Sequence, residues 1–230
     1  MSYCVTRIFV VCLLAVSVAN FSLAADSGFV PLFDGKSLEG WVQRGGKAEY
    51  VIEDDAIVGT SVAETPNSFL CTSRDYGDFI LEVDLKVDNE LNSGIQIRSH
   101  VHDHDTEYED KKIPAGRVHG YQVEIDPSDR AFSGGIYDEA RRGWLFDLKD
   151  DKHRKAREAF KRGEWNHYRI EARGPSIKTW INGVQVADLT DDVDTRGLIA
   201  LQVHSVPDEF AGKQVRWRNI RIKDLDSHRR

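Results

Sequence analysis

Three short segments of the 230-residue chain place amides, acids, a guanidinium and an imidazole at alternate positions. Gln96 and Arg98 alternate with Ile95 and Ile97, Gln122, Glu124 and Asp126 with Tyr121, Val123 and Ile125, and Gln202 and His204 with Leu201 and Val203. In an extended chain successive side chains point to opposite faces, so each segment presents one apolar row and one polar row. A surface built from such polar rows offers many oriented hydrogen bonds, which is what a polyhydroxylated ligand requires. Sugars also rest on flat apolar platforms. Tyr137, Trp144 and Phe146, in the Gly-rich stretch GGIYDEARRGWLFD just after the acidic segment, are candidates for that role.

Histidines form a second constellation. His100, His102 and His104 stand two residues apart, followed by His119. On a strand that spacing aims the rings the same way, which is ligand geometry for a transition metal. The plainer reading is a solvated polar loop. A separate arrangement would join His119 or His204 to Glu124 around a divalent cation. Glu82 and Asp84 also alternate, but with Lys86 beside them they read as the solvated face of a strand.

The elements that must position these residues are strands. Period-two segments run from 48–60, 78–87, 93–99, 120–126, 166–173, 176–189, 197–204 and 215–225, separated by Gly, Asn, Asp and Pro. Asn182-Gly183 between two β-rich runs predicts a two-residue hairpin. Eight to twelve such strands without a βαβ rhythm predict an all-β sandwich of two antiparallel sheets. The charged stretch 150–165 breaks the pattern and predicts an exposed helical excursion, capped by Asp150 or Asp151 and stopped by Gly163. Trp165, Trp180 and Trp217 are expected in the core.

Composition narrows the partner. The chain has 40% hydrophobic and 30% charged residues, enough for a packed core, and 31 basic against 38 acidic side chains give a net charge of −7. No basic block marks a nucleic-acid surface. Residues 1–25, with Arg7 before the apolar run IFVVCLLAVSVA and small residues near Ala24 and Ala25, read as a secretory signal peptide. The expectation is one domain over 26–230, a periplasmic or secreted location, and no transmembrane segment. Cys4 and Cys12 leave with the signal, so Cys71 is the one thiol left and is expected to be buried and inert.

The motifs LFDGKSLEGW, GDFILEVDLKV, NSGIQIR, HGYQVEID, GGIYD, GEWNHYRIEARG, TWINGVQVAD, GLIALQVH and VRWRNIRIKDL, in this order, resemble the 3-keto-disaccharide hydrolase domain family. The resemblance covers essentially all the chain after residue 25. It implies a concanavalin A-like lectin/glucanase jelly roll with a concave ligand face, and action on glycosides oxidised to a ketone at the third sugar carbon. Such chemistry needs a base for the acidified C–H, a group that stabilises the enolate oxygen, and an acid for the departing alcohol. Carried over by position, Glu124 or His119 is the base and Arg98 or a divalent cation the enolate stabiliser. Gln96, Gln122, Asp126, Tyr137, Trp144, Gln202 and His204 are substrate contacts, and His119, Glu124 and His204 are candidate metal ligands.

GYQVEID departs from laminarinase-type hydrolases of the same fold, which carry two Glu and an Asp at alternating positions of one strand. A retaining double displacement needs two carboxyl groups ~5 Å apart, so it is disfavoured on an unactivated glycoside. A non-catalytic, lectin-like carbohydrate-binding module is the alternative.

Overall fold

The computed structural model describes residues 28–226; the predicted signal peptide lies outside the described residues. The strands are β1 (Val30–Pro31), β2 (Trp41–Gly45), β3 (Glu49–Glu53), β4 (Ala56–Thr60), β5 (Ser68–Thr72) and β6 (Phe79–Val87). They continue with β7 (Ser93–His100), β8 (Thr106–Tyr108), β9 (Lys111–Ile113), β10 (His119–Ile125), β11 (Ile136–Glu139) and β12 (Gly143–Phe146). After the short helix α1 (Arg154–Arg157) come β13 (Asn166–Arg173), β14 (Ser176–Ile181), β15 (Val184–Thr190), β16 (Leu198–Val203) and β17 (Gln214–Asp224). Strand accounts for 51% of the described residues and helix for 6%, so the chain is all-β as expected.

The strands form two antiparallel sheets. One runs β15-β14-β13-β6-β17-β4-β3 with β1 added on β17, and the other runs β12-β11-β10-β7-β16-β5-β2. Alternation dictates which side of each strand enters the core. In β6 Phe79, Leu81, Val83, Leu85 and Val87 are buried, while Glu82 and Asp84 face outward to Arg169, Arg221 and His167. The pair is structural, as expected, but Glu82 is buried beneath Arg169 and Arg221 and not solvated. Opposite them Ile95, Ile97, Tyr121, Val123, Ile125 and Leu201 fill the core from the second sheet. Val30 pairs with Ile222, which ties the first described strand to the last.

Local chemistry accounts for the turns. Asn182 and Gly183 both adopt positive φ, 49° and 81°, between paired Ile181 and Val184, which is the conformation that a two-residue hairpin demands. The 150–165 stretch is corrected in extent. Asp150 does cap a 3-10 turn at Asp151–His153, its side chain accepting from Lys152 N at 3.1 Å, but α1 ends at Arg157, well before Gly163. Nor is the excursion wholly exposed, because Ala156 and Ala159 are buried in the main core. Trp217 is core, whereas Trp165 precedes β13 and lies under the Arg218 guanidinium at 3.9 Å. Cys71 is free and buried, and burial pushes its thiol up to about 12, so it stays an unreactive thiol.

One half of the second sheet's outer face is covered. The 101–118 excursion, which includes the β8–β9 hairpin, lays Val101 and Val118 over Phe69, Cys71, Leu198 and Ala200. The polar rows of β7, β10 and β16 lie on the remaining half of that face.

Candidate functional site

A cleft of about 630 Å3 opens on this face, within the usual size range of small-ligand sites. Gln122 and Glu124 of β10 line its floor. Tyr137 and Glu139 of β11, with Trp144 of β12, line one side, Asn67, His204 and Ser205 another, and Asn92, Arg117 and Arg130 reach in from loops. Gln122 stands directly opposite Tyr137 and Gly120 opposite Glu139 in the β10–β11 register.

The floor is organised by amides. Gln96 Nε2 and Gln202 Nε2 both donate to Gln122 Oε1, at 2.7 and 2.8 Å. With its oxygen fixed by two donors, Gln122 must present its NH2 elsewhere, and it donates to Glu124 Oε2 at 3.0 Å. Ser99 Oγ donates to Gln96 Oε1 at 2.8 Å and fixes the next amide in turn. Gly94 makes room for this relay, since a Cβ there would stand 2.4 Å from Gln122 Cδ.

Glu124 is 4% exposed. Its Oε1 accepts from Asn92 Nδ2 at 2.8 Å and from Arg130 at 3.0 Å. Burial pushes its carboxyl above the ordinary glutamate range, outweighing the pull of Asn92, Gln122 and Arg130 toward the ionised form. Glu139, also buried, pairs with Arg117, and burial raises its carboxyl too, against the fields of Arg117 and His204. Tyr137 lies between the two acids in register. Burial, and then the charges of Glu139 and Glu124, push its phenol upward, so it keeps its proton. Trp144 packs edge-on to Tyr137 and Phe132, with the Arg130 guanidinium 5.2 Å from its ring centre.

Of the residues expected from the sequence, Gln122, Glu124, Tyr137, Trp144 and His204 line the cleft. Gln96 and Gln202 lie fully buried beneath it, acting on Gln122 and not on a ligand. Asp126 does not line it either. It accepts from Ser128, Phe132 N and Arg130 Nε (2.7 Å), and these outweigh burial to hold its carboxyl below the ordinary range; its work is to set the loop that carries Arg130.

Arg98 requires a larger correction. Its φ of +46° makes a bulge in β7, so that strict alternation fails and the side chain leaves the polar row. It is fully buried, donating to Gly77 O, Gly174 O and Asp78 Oδ1 at 2.8, 2.7 and 3.0 Å. His119 is out of step with Gln122 and Glu124 along β10 and packs against His100 and His102 outside the cleft. His119, Glu124 and His204 therefore do not form one metal site, and among the described residues no three His, Cys, Asp or Glu side chains already converge on a common point as they are placed.

Among the lining residues missed by the sequence reading are Asn67, Asn92, Arg117, Arg130, Glu139 and Ser205. Glu139 was within reach, because it alternates with Tyr137 along β11 as Glu124 does with Gln122. The arginines lie in loops, where no periodicity marks a direction.

Solved structures share the fold. A glycosyl-hydrolase-like protein of Parabacteroides distasonis ATCC 8503 is 20% identical, with a TM-score of 0.56 over 86% of this chain and 94% of that one. The carbohydrate-binding module CBM66 of Bacillus subtilis is 17% identical, with a TM-score of 0.54 over 80% and 95%. A Bacillus subtilis protein with a galectin-like fold is 13% identical, with a TM-score of 0.58 over 85% and 94%. No relative among curated proteins matches the sequence. These neighbours establish a lectin-like jelly roll. The model of the 3-keto-alpha-glucoside-1,2-lyase-like domain matches residues 28–223, which include every strand that lines the cleft, and the chain belongs to that carbohydrate-active family.

Proposed function

We propose that the protein cleaves 3-keto-glycosides by elimination, with Glu124 as the base. The observation that carries this reading is a buried carboxylate, raised above its ordinary pKa, on the floor of a sugar-sized cleft that also holds two arginines and aromatic platforms. A base with a raised pKa is better matched to proton abstraction near neutrality.

A ketone at the third sugar carbon acidifies the C–H at the second. Glu124 takes that proton, and the electron pair becomes the carbon–carbon double bond of an enolate whose charge rests on the former ketone oxygen. That charge then returns to form a double bond between the first and second carbons as the glycosidic C–O bond breaks. The departing oxygen takes a proton from Tyr137, to which Glu124 returns the one it removed. An unsaturated keto-sugar and an alcohol result, and addition of water across the new double bond completes a net hydrolysis. Arg117 and Arg130 take the enolate-stabilising role that the family resemblance implied for Arg98 or a divalent cation. Gln122, Trp144 and His204 hold the sugar.

An unactivated glycoside would need a second carboxyl close to the first. Glu124 and Glu139 sit four residues apart in register, about 14 Å along the main chain at ~3.4 Å per residue. That spacing gives no support to a retaining pair. We also read residues 1–25 as an export signal, which would put the reaction in the periplasm or outside the cell.

Deuterium at the second sugar carbon tests the step. A primary isotope effect on kcat/KM is expected, together with a fall on the order of a hundredfold in Glu124→Gln while sugar binding persists. An undiminished rate in that variant would remove Glu124 from the role. Sugar binding with no turnover of any 3-keto-glycoside by the unmodified protein would leave a binding module.

A further inference from the structure

Outside the cleft, four imidazoles gather where the 101–118 excursion leaves and rejoins the second sheet. His100 and His119 are direct cross-strand partners in the β7–β10 ladder, with ring centres 5.8 Å apart. The His102 ring centre lies 5.3 Å from that of His119 and 6.3 Å from that of His100. His104 stands beyond His102, hydrogen-bonded to Asp103 and exposed. A cavity of about 430 Å3, lined in part by His100 and His102, gives solvent access to this cluster.

We propose that His100, His102 and His119 bind a divalent transition metal of the Zn2+ class. Two imidazoles on one tetrahedral metal, with metal–nitrogen bonds of ~2.0–2.1 Å, have ring centres about 5 Å apart. The observed separations of 5.3, 5.8 and 6.3 Å are somewhat longer than that. The outer nitrogens are engaged in the way that metal-binding histidines require. His119 Nδ1 faces Arg117 O at 3.1 Å, and a carbonyl can only accept, so Nδ1 carries the hydrogen and Nε2 keeps its lone pair. His100 Nε2 faces Asp194 Oδ1 at 2.9 Å, which leaves Nδ1 of the neutral ring as the donor to a metal. Asp194 brings negative charge to the cluster, and Arg141, the cation nearest in effect to His119, is balanced by Asp138 and Asp194.

Two rings are thus fixed and one must turn, since no trio among the described residues already converges its ligating atoms. The mobile member is His102. Its side chain is exposed while its carbonyl is held by Gly116 N at 2.7 Å, so completing the site requires a rotamer change of His102 on a main chain that stays in place. The excursion that bears this ring also bears Arg117, the partner of Glu139 in the cleft. The metal would therefore pin the segment that delivers Arg117.

Untagged protein, stripped with chelator, is titrated with Zn2+ by calorimetry, and with Co2+ to read ligand-field absorption. The expected result is one site per chain with a tetrahedral Co2+ spectrum, and an affinity at least about tenfold weaker in both His102→Ala and His100→Ala. His102 is exposed, so its variant keeps the fold and isolates the ligand. Absence of saturable Zn2+ binding, or binding undiminished in His102→Ala, would overturn the proposal, and neither outcome bears on Glu124.

Discussion

Glu124 is pushed toward its neutral form by burial and pulled back by Asn92, Gln122 and Arg130. A base acts ionised, so kcat/KM should fall as pH drops through its folded pKa, and that acid limb should lie above the ordinary glutamate value of about 4.3. Arg130 favours the ionised form, and its removal in Arg130→Ala should shift the limb to still higher pH. A limb at or below the ordinary value, or one that Arg130→Ala moves downward, would contradict the assignment. Arg98 gives the opposite test. Arg98→Met strips the guanidinium from buried Asp78 and should cost about 3–5 kcal/mol of stability, read by denaturant unfolding, with turnover of the folded variant little changed. Residue types alone could not separate these two roles. Both side chains sit at alternate positions in polar rows, and only the positive φ at Arg98 turns one of them away.

At the scale of elements, period-two alternation revealed most of what builds the cleft, because it is a backbone property that sequence records directly. It identified β10 and β16, the row of amides on the outer face and the Asn182-Gly183 hairpin, but it made Gln96 and Gln202 ligand contacts where they are buried supports of Gln122. It failed where a bulge broke the count at Arg98 and where loops supplied the arginines. Strands as short as β8 and β9 carry too few residues to show a period. Gly94 illustrates a further limit, since its importance lies in the space above it. Gly94→Ala places a Cβ against Gln122 Cδ, so the amide must move and its hydrogen bond to Glu124 must change. The expected outcome is a lower kcat/KM, with unfolding midpoint shifted less than in Arg98→Met. Unchanged kinetics would show that the relay does not position Glu124.

Across the whole molecule, one sheet face is closed by the core, and the other is divided between an apolar patch under the 101–118 excursion and the polar cleft. The lectin-like jelly roll serves binding and catalysis alike, so fold alone does not choose between them. The choice rests on the chemistry of the cleft, where two raised carboxyls set four residues apart in register suit a single base acting on an acidified C–H and not a retaining pair on an unactivated glycosidic bond. The most direct measurement gives the purified protein a 3-keto-glycoside and, separately, its unoxidised parent, and follows release of the alcohol from each. Release from the ketone alone is the predicted result. Cleavage of the parent at a comparable rate would contradict the elimination mechanism, and release from neither would contradict catalysis.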